Sequence, residues 1–136
     1  MRELVICEQN GEWAAIFRRY FQKVAETRLL ADCAQFVEAH PRAVVVIETC
    51  GWQPAEVADW VTRVRAGCPD LLILAIVSRE NPRGWSNWLR EMGVVDLLTS
   101  FQDLPRVKRI VQRHFARFSC GPLSLEQRIW NNLPWS

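Results

Sequence analysis

Short apolar runs alternate with amphipathic segments along the first 118 residues of the chain. The run at 43–48, AVVVIE, is the clearest predicted strand because it is rich in β-branched residues. The middle runs are continuously apolar, which is typical of strands that are buried on both faces of a parallel sheet. Predicted strands cover 3–7, 27–31, 43–48, 71–78 and 94–98.

Segments with apolar residues at helical spacing follow each of these runs. Asp32 is expected to cap the second helix, and Pro41 lies just beyond its end. Predicted helices cover 12–23, 33–40, 54–67, 85–92 and about 104–118. Strand and helix alternate five times, which predicts an α/β three-layer sandwich with a five-stranded parallel sheet over residues 1–118.

The alternation stops after Phe118. The remaining segment, 119–136, contains Gly121-Pro122 and is interpreted as a linker with an apolar C-terminal tail. Its tryptophans, Trp130 and Trp135, give it more apolar character than a solvated terminus needs. The tail either folds back on its own domain or docks into another protein.

Composition restricts the class of protein. At 136 residues the chain has the length of one domain, and its net charge of +2 is too small to indicate a nucleic-acid or membrane partner. No apolar run approaches the roughly 20 residues of a spanning helix, and the N-terminus does not resemble a signal peptide. A cytoplasmic location is therefore expected.

The cysteines are odd in number and widely spaced, which argues against a disulfide framework or a zinc finger. Cys7 and Cys50 fall at the same end of the predicted sheet, but buried structural thiols are favoured over a redox pair or metal site. No metal or other cofactor is expected. His40 and His114 are predicted to be helix-terminal or surface residues. The five cysteines are Cys7, Cys33, Cys50, Cys68 and Cys120.

The segment GVVDLLTSFQDLPRVKRIVQRHF resembles the last strand–helix unit of the receiver domain of response regulators. That unit typically begins Gly-Ala-x-Asp-Tyr-Leu-x-Lys-Pro-Phe. Residues in register with the family pattern are Gly93, Asp96, Leu98, Asp103 and Leu104. The resemblance covers residues 1 to about 118 and implies the flavodoxin-like (CheY-like) fold, with strand order 2-1-3-4-5.

The resemblance also locates the family's phosphorylation site. In receivers an acidic pair after the first strand holds Mg²⁺, and an Asp that ends the third strand accepts the phosphoryl group. A hydroxyl and a lysine follow the fourth and fifth strands. In this chain the corresponding positions are Cys7 and Glu8, Glu48, Ser78 and Ser100.

Only Glu8 and Ser78 keep the side-chain chemistry that this site needs. A thiol at position 7 is a poor Mg²⁺ ligand, Glu48 is one methylene longer than Asp, and Ser100 carries no positive charge. Leu97 replaces the aromatic residue that commonly reports phosphorylation. These departures predict a pseudo-receiver that is not an enzyme and works independently of phosphorylation. The alternative is a receiver with an altered site that still accepts phosphate or binds a small ligand.

Two interpretations of Glu48 are open. It could act as a fixed negative charge that mimics an active state, or it could cap the sheet end by accepting hydrogen bonds from backbone amides, which is favoured. Glu8 and Glu48 could also form a like-charged pair with one raised pKa. The sequence supplies no third group that would use such a pair in acid–base catalysis.

The last two strand–helix units and the tail are the predicted contact surfaces. One of Trp85 and Trp88 is expected near the surface. An arginine face on the last helix receives an acidic partner, binds the phosphates of a nucleic acid or, as is usual for an exposed helix face, is simply solvated. The expected role is a stand-alone regulatory module that binds a protein partner or associates with itself. The candidates are Trp85, Trp88, Leu97, Arg106, Arg109, Arg113, Trp130 and Trp135, with Arg117 completing the arginine face.

Overall fold

The computed structural model describes residues 3–78 and 84–119, with only the backbone of Gly51 and Ser119. Its core is a parallel five-stranded sheet with the order β2-β1-β3-β4-β5, which confirms the predicted fold and strand order. The strands are β1 (Leu4–Cys7), β2 (Ala25–Thr27), β3 (Val44–Glu48), β4 (Leu72–Ile76) and β5 (Asp96–Leu98).

Within the described residues, five α-helices cover the sheet, and a short 3-10 helix follows each of β3 and β5. Helices α2, α3 and α4 pack on one face of the sheet, and α1 and α5 pack on the other. The helices are α1 (Glu12–Phe17), α2 (Leu30–Ala39), α3 (Pro54–Gly67), α4 (Trp85–Met92) and α5 (Leu104–Ser119), and the 3-10 helices span Thr49–Gly51 and Phe101–Asp103.

The central strand, β3, shows why its sequence is apolar at consecutive positions. It pairs with β1 on one side and β4 on the other, so neither of its edges meets water. Successive side chains of a strand point to opposite faces. Val45 and Ile47 therefore pack under α2, α3 and α4, whereas Val44 and Val46 pack under α1 and α5. Because each face of β3 packs into its own hydrophobic core, the strand is apolar at consecutive positions.

The predicted strand at 27–31 was wrong. The strand ends at Thr27, and Leu30 already begins α2, so the predicted cap Asp32 lies in the first helical turn instead. Leu30 packs against the core, and its carbonyl accepts a 2.7 Å hydrogen bond from the Trp60 indole N–H. A contact from α3, distant in sequence, thus sets the start of α2.

Helix α1 is shorter than the predicted 12–23. It ends at Phe17, and the chain then turns toward β2. Arg18 stabilises this turn, because its guanidinium donates to the carbonyl of Val24 and forms a 2.6 Å ion pair with Glu26. Similarly, β5 is shorter than the predicted 94–98, since the Val94 N–H donates to Leu89 at the end of α4.

Residues 120–136 lie outside the described residues, as do 79–83. The predicted tail and its candidates Trp130 and Trp135 therefore stay predictions, together with the proposed boundary at 118. Within the two described ranges, no helix is both long and apolar enough to cross a membrane.

Candidate functional site

The carboxyl ends of the strands bring together the five positions that correspond to the receiver phosphorylation site. Open parallel sheets generally place their ligands at this edge. Cys7 ends β1 and Glu8 follows it, whereas Glu48 ends β3. Ser78 and Ser100 each lie two residues beyond the last residue of β4 and β5. The contacts of these side chains determine what this edge can do chemically.

Glu8 caps helix α1. Its side chain is fully buried, with one carboxylate oxygen accepting from the Trp13 N–H at 3.1 Å and the other from the Ala14 N–H at 2.8 Å. These N–H groups belong to the first helical turn, where the helix offers them no carbonyl partner. Both oxygens of the one retained acidic residue are therefore engaged by backbone donors.

The tight connection between β1 and α1 places Glu8 under the helix. Gly11 has a φ of 82°, a left-handed conformation that favours glycine, and this allows α1 to begin immediately. The Asn10 side chain accepts from the Glu12 N–H at 3.2 Å, which completes the capping of the first turn. Arg28 donates to the backbone carbonyl of Glu8 at 3.2 Å and holds the connection against β2.

Glu48 is half-buried at the end of β3. Its partial burial raises its pKa above the usual glutamate range, and the negative charge of nearby Glu8 acts in the same direction. A hydrogen bond from the backbone N–H of Gln9 opposes this shift by stabilising the carboxylate. The contact with a backbone amide fits the interpretation of Glu48 as a cap of the sheet end.

Thr49 is a site residue that no pattern in the sequence singles out. Its buried hydroxyl donates a 2.9 Å hydrogen bond to the carbonyl of Ile76, which fastens the end of β3 to the end of β4. A threonine after a strand is common, and the carbonyl that it binds lies 27 residues away in the chain. The local sequence therefore gives no signal for this contact.

Ser100 stands at the position of the receiver lysine and forms part of a capping box. Its hydroxyl accepts from the Gln102 N–H at 3.3 Å, and the Asp103 carboxylate accepts from the Ser100 N–H at 3.2 Å. The Asp103 carboxylate also accepts from the N–H of Thr99, and this hydrogen bond lowers the pKa of Asp103. The position supplies a helix cap in place of a positive charge.

An aromatic contact joins the β1 and β5 sides of the site. Phe101, which replaces the family's proline, lies edge-on to Trp13 with 4.6 Å between ring centroids. Trp13 is buried in α1, whereas Phe101 is 48% exposed. No sequence signal predicts this pairing, since Trp13 fits the pattern of an ordinary core residue.

Three solved structures show the same arrangement of strands and helices. The signal receiver domain of a protein named as a LuxO repressor from Vibrio parahaemolyticus is 16% identical, with a TM-score of 0.68 over 86% of this chain and 92% of that one. A CheY-like protein, TadZ, from Pseudomonas aeruginosa is 13% identical, with a TM-score of 0.65 over 82% and 99%. A LuxR-family DNA-binding response regulator from Staphylococcus aureus is 15% identical, with a TM-score of 0.64 over 82% and 98%.

The chain has the receiver fold. No protein-family model matches the sequence, and no curated protein matches it. At these low sequence identities the structural likeness establishes the fold but not the activity, which depends on the individual residues of the site.

At the carboxyl ends of the strands, Cys7 forms a hydrogen bond with Cys33 of α2. A hydrogen bond from the Cys33 thiol lowers the pKa of Cys7, and the same bond together with burial raises the pKa of Cys33. Cys50 is exposed, so the expectation of a buried structural thiol was wrong for it. Among residues 3–78 and 84–119, no cluster of three His, Cys, Asp or Glu side chains is arranged to hold a metal ion.

The predicted contact surface on the last two strand–helix units is only partly exposed. Trp85 is buried against the core and Trp88 is 38% exposed, as expected for one member of the pair. Their ring centroids are 4.7 Å apart. Leu97 is buried, so its predicted place on a contact surface was wrong, whereas Val95 on the same segment is 48% exposed.

The arginine face of α5 divides into bound and exposed members. Arg106 forms a 2.8 Å ion pair with Asp96 and donates to the carbonyl of Leu97 at 3.0 Å. It therefore joins α5 to β5. Arg109 and Arg113 are exposed, and within the described part of the chain neither forms an ion pair. The guanidinium of Arg117 lies 5.2 Å from the centroid of the Phe118 ring, so Arg109 and Arg113 are the members of this face that remain for a partner.

His114 is buried, which corrects the expectation of a surface residue. Its Nε2 atom donates to the carbonyl of Arg42 at 2.8 Å, and its ring packs edge-on against Phe118. Burial lowers the pKa of His114 despite that hydrogen bond. His40, by contrast, ends α2 as predicted.

Proposed function

We propose that this chain is a pseudo-receiver, a receiver-fold module of signalling that regulates a partner through protein contacts and accepts no phosphoryl group. The observation that carries the proposal is the position of Glu8. Both of its carboxylate oxygens accept backbone hydrogen bonds from the first turn of α1.

The remaining residues of this edge offer little to a magnesium-dependent phosphoryl transfer. Mg²⁺ prefers several oxygen ligands, and Cys7 contributes a buried sulfur in place of a carboxylate. Glu48 is then the one half-exposed carboxylate among the five positions. Ser100 provides no charge to stabilise a transferring phosphoryl group. These features favour a phosphorylation-independent role.

The surface formed by α4, β5 and α5 is the proposed contact surface. Trp88 and Val95 give it exposed apolar area, and Arg109 and Arg113 add unpaired positive charge. Exposed tryptophan and arginine are the residue types that most often dominate binding energy in interfaces. The partner that fits best is a protein with an apolar patch and an acidic rim, and self-association is the alternative.

Incubation with Mg²⁺ and acetyl phosphate tests the loss of phosphotransfer. The intact mass of the wild-type chain is expected to stay unchanged, as is that of the matched control Glu48→Gln. A stoichiometric gain of one phosphoryl group in the wild type that disappears in Glu48→Gln would contradict the proposal. That result would support the alternative of an altered but active receiver.

The contact surface is tested by affinity capture from the native host and by sedimentation of the pure protein. Trp88→Ala with Val95→Ser is expected to abolish capture of the partner or self-association, whereas the exposed control Gln35→Ala on α2 retains it. This surface is ruled out if both variants lose capture and self-association to the same extent, or if neither variant loses them. Circular dichroism of each variant checks that the fold is intact.

A further inference from the structure

A cleft of about 520 Å³ lies at the amino ends of the strands, on the opposite side of the sheet from α4. The segment after α1 and one side of α5 form its walls. Its floor is closed, because Leu4, Val111 and Phe115 at its base are already buried. A volume of this size is typical of a site for a small molecule.

The exposed lining of this cleft is mostly polar and carries positive charge. Lys23 from the segment after α1 and Lys108 from α5 both line it. Gln22 and Gln112 add amide N–H groups that can donate hydrogen bonds. Among the described residues that line the cleft, none is acidic. The lining therefore favours a negatively charged ligand over a cation or an apolar molecule.

Lys108 has no partner for its charge within the described part of the chain. The residue is half-buried in α5, yet its ammonium forms no ion pair or hydrogen bond with any described residue. An unpaired charge that has lost part of its water is unfavourable. A half-buried side chain also has less conformational freedom to lose on binding than a fully exposed one. An anion in the cleft would supply the missing partner.

Lys23 is the more exposed of the two lysines. Its side chain is 71% exposed, and its ammonium lies 3.8 Å from a carboxylate oxygen of Glu3. An exposed ion pair at this separation adds little stability. Glu3 does not line the cleft, so Lys23 can exchange this weak contact for an anion inside it.

An aromatic ring lies at the rim of the same cleft. Tyr20 lines the cleft and is 39% exposed. Its backbone N–H donates to the carbonyl of Phe17 at 3.0 Å, which ties Tyr20 to the end of α1. Flat ring systems such as nucleic-acid bases stack on exposed aromatic side chains. A ligand that combines a flat ring with an anionic group would therefore use both the aromatic and the cationic residues.

We propose that this cleft binds an organic phosphate with a flat ring, of the size of a nucleoside monophosphate. A phosphate monoester carries a charge of about −1.5 to −2 at pH 7, which matches two ammonium groups better than one carboxylate does. The phosphate contacts Lys23 and Lys108, and the ring packs on Tyr20. The cleft lies at the opposite end of the strands from the candidate site, so this proposal does not depend on the pseudo-receiver proposal.

Titration of the isotope-labelled full chain with adenosine monophosphate or uridine monophosphate tests the proposal. The amide signals of residues 20–23 and 108–112 are expected to shift, with a Kd below about 1 mM. Adenosine lacks the charge and inorganic phosphate lacks the ring, so each is expected to bind at least about tenfold more weakly. Added salt should weaken binding of the nucleotides, because it screens exposed charges.

Lys108→Gln is expected to raise the Kd of both nucleotides by about tenfold or more. The matched control, Arg109→Gln, removes the same charge from the next residue of α5, which does not line the cleft, and leaves the Kd nearly unchanged. Tyr20→Ala weakens binding of the nucleotides, whereas Tyr20→Phe keeps the ring and retains binding. Circular dichroism checks that each variant is folded.

Glu3→Gln tests the role of Lys23 by a gain of binding. It removes the carboxylate that competes for the Lys23 ammonium, so the Kd of the nucleotides is expected to fall by about twofold. Glu56→Gln makes the same change of charge on α3 and is expected to leave the Kd unchanged. An equal gain in both variants would contradict a specific role for Lys23.

Three results would overturn the proposal. The first is the absence of shifts at the cleft with both nucleotides at millimolar concentration. The second is a Kd that rises equally in Lys108→Gln and Arg109→Gln, because binding would then follow overall charge alone. The third is a set of nucleotide-induced shifts that falls on residues 7–9 and 48–50 in place of the cleft.

Discussion

A carboxylate at the end of β1 can ligate a cation or cap a helix, and the position of α1 decides between these roles. Here the first turn of α1 starts close enough for Glu8 to accept from Trp13 and Ala14. A buried carboxylate with two N–H donors is well compensated for its loss of water. The sequence shows that an acidic residue follows β1, but it does not show which N–H groups donate to the Glu8 carboxylate.

The cap predicts a cost for a change at Glu8. In Glu8→Gln the amide nitrogen faces the N–H groups of the first helical turn, so one buried donor loses its acceptor. The free energy of unfolding is expected to fall by about 1–3 kcal/mol in urea denaturation. Glu12→Gln on the same turn, where the side chain is exposed, is expected to change it by no more than about 0.5 kcal/mol.

Glu48 predicts a pH dependence. Because folding raises its pKa, the folded protein retains the Glu48 proton at pH values where the unfolded chain has released it. The contribution to stability is present below about pH 4.3, the usual glutamate pKa, and is lost as the pH rises through the folded pKa. Glu48→Gln is therefore expected to be more stable than the wild type at pH 7.

The difference between Glu48→Gln and the wild type should shrink toward zero as the pH falls below about 4. Denaturant titrations across this range give the difference directly. Glu56→Gln, an exposed change on α3, serves as the control and is expected to show no such trend. A Glu48→Gln variant that is less stable at pH 7 would contradict the assignment.

At the scale of elements, the sequence predicted the type and order of the strands and α-helices but misplaced β2 and several helix and strand ends. Local patterns predict which segments are apolar on one or two faces, and this information was sufficient to predict the type and order of the secondary-structure elements. The start of α2 instead depends on the Trp60 hydrogen bond to Leu30, and the end of α1 depends on Arg18 and Glu26. Such contacts join residues that a local pattern does not relate.

The contact between α5 and β5 predicts that the arginines of one helix are not equivalent. Arg106→Ala loses the ion pair to Asp96 and the hydrogen bond to Leu97. Its free energy of unfolding is therefore expected to be about 1 kcal/mol lower than that of the wild type. Arg109→Ala, three residues along the same helix, is expected to change stability by no more than about 0.5 kcal/mol. Urea denaturation of both variants measures the difference, and equal values would contradict it.

At the scale of the whole molecule, two cores lie on either side of one sheet. The fold was predictable because five alternations of strand and helix, with apolar middle strands, admit few other arrangements. The candidate site was predictable only as a set of positions. Contacts such as Cys7 with Cys33, Thr49 with Ile76 and Trp13 with Phe101 arise only after the chain is folded.

The two cores predict equal penalties for neighbouring residues of β3. Val45→Ala removes methyl groups from the core under α2, α3 and α4, and Val46→Ala removes them from the core under α1 and α5. Each is expected to destabilise the protein by about 2 kcal/mol in thermal or chemical unfolding. Val95→Ala, where the side chain is 48% exposed, is the control and should cost about 0.5 kcal/mol or less.

The capping role of Glu8 also restricts how the chain can change over evolutionary time. A mutational path to a magnesium site at this edge would have to release Glu8 from α1 and find another acceptor for the N–H groups of Trp13 and Ala14. Gly11, at the helix N-cap, is a poor place for that acceptor because its φ of 82° disfavours a residue with a side chain. Single substitutions toward such a site would therefore each lose stability first, so the fold itself opposes the gain of a cation at this edge.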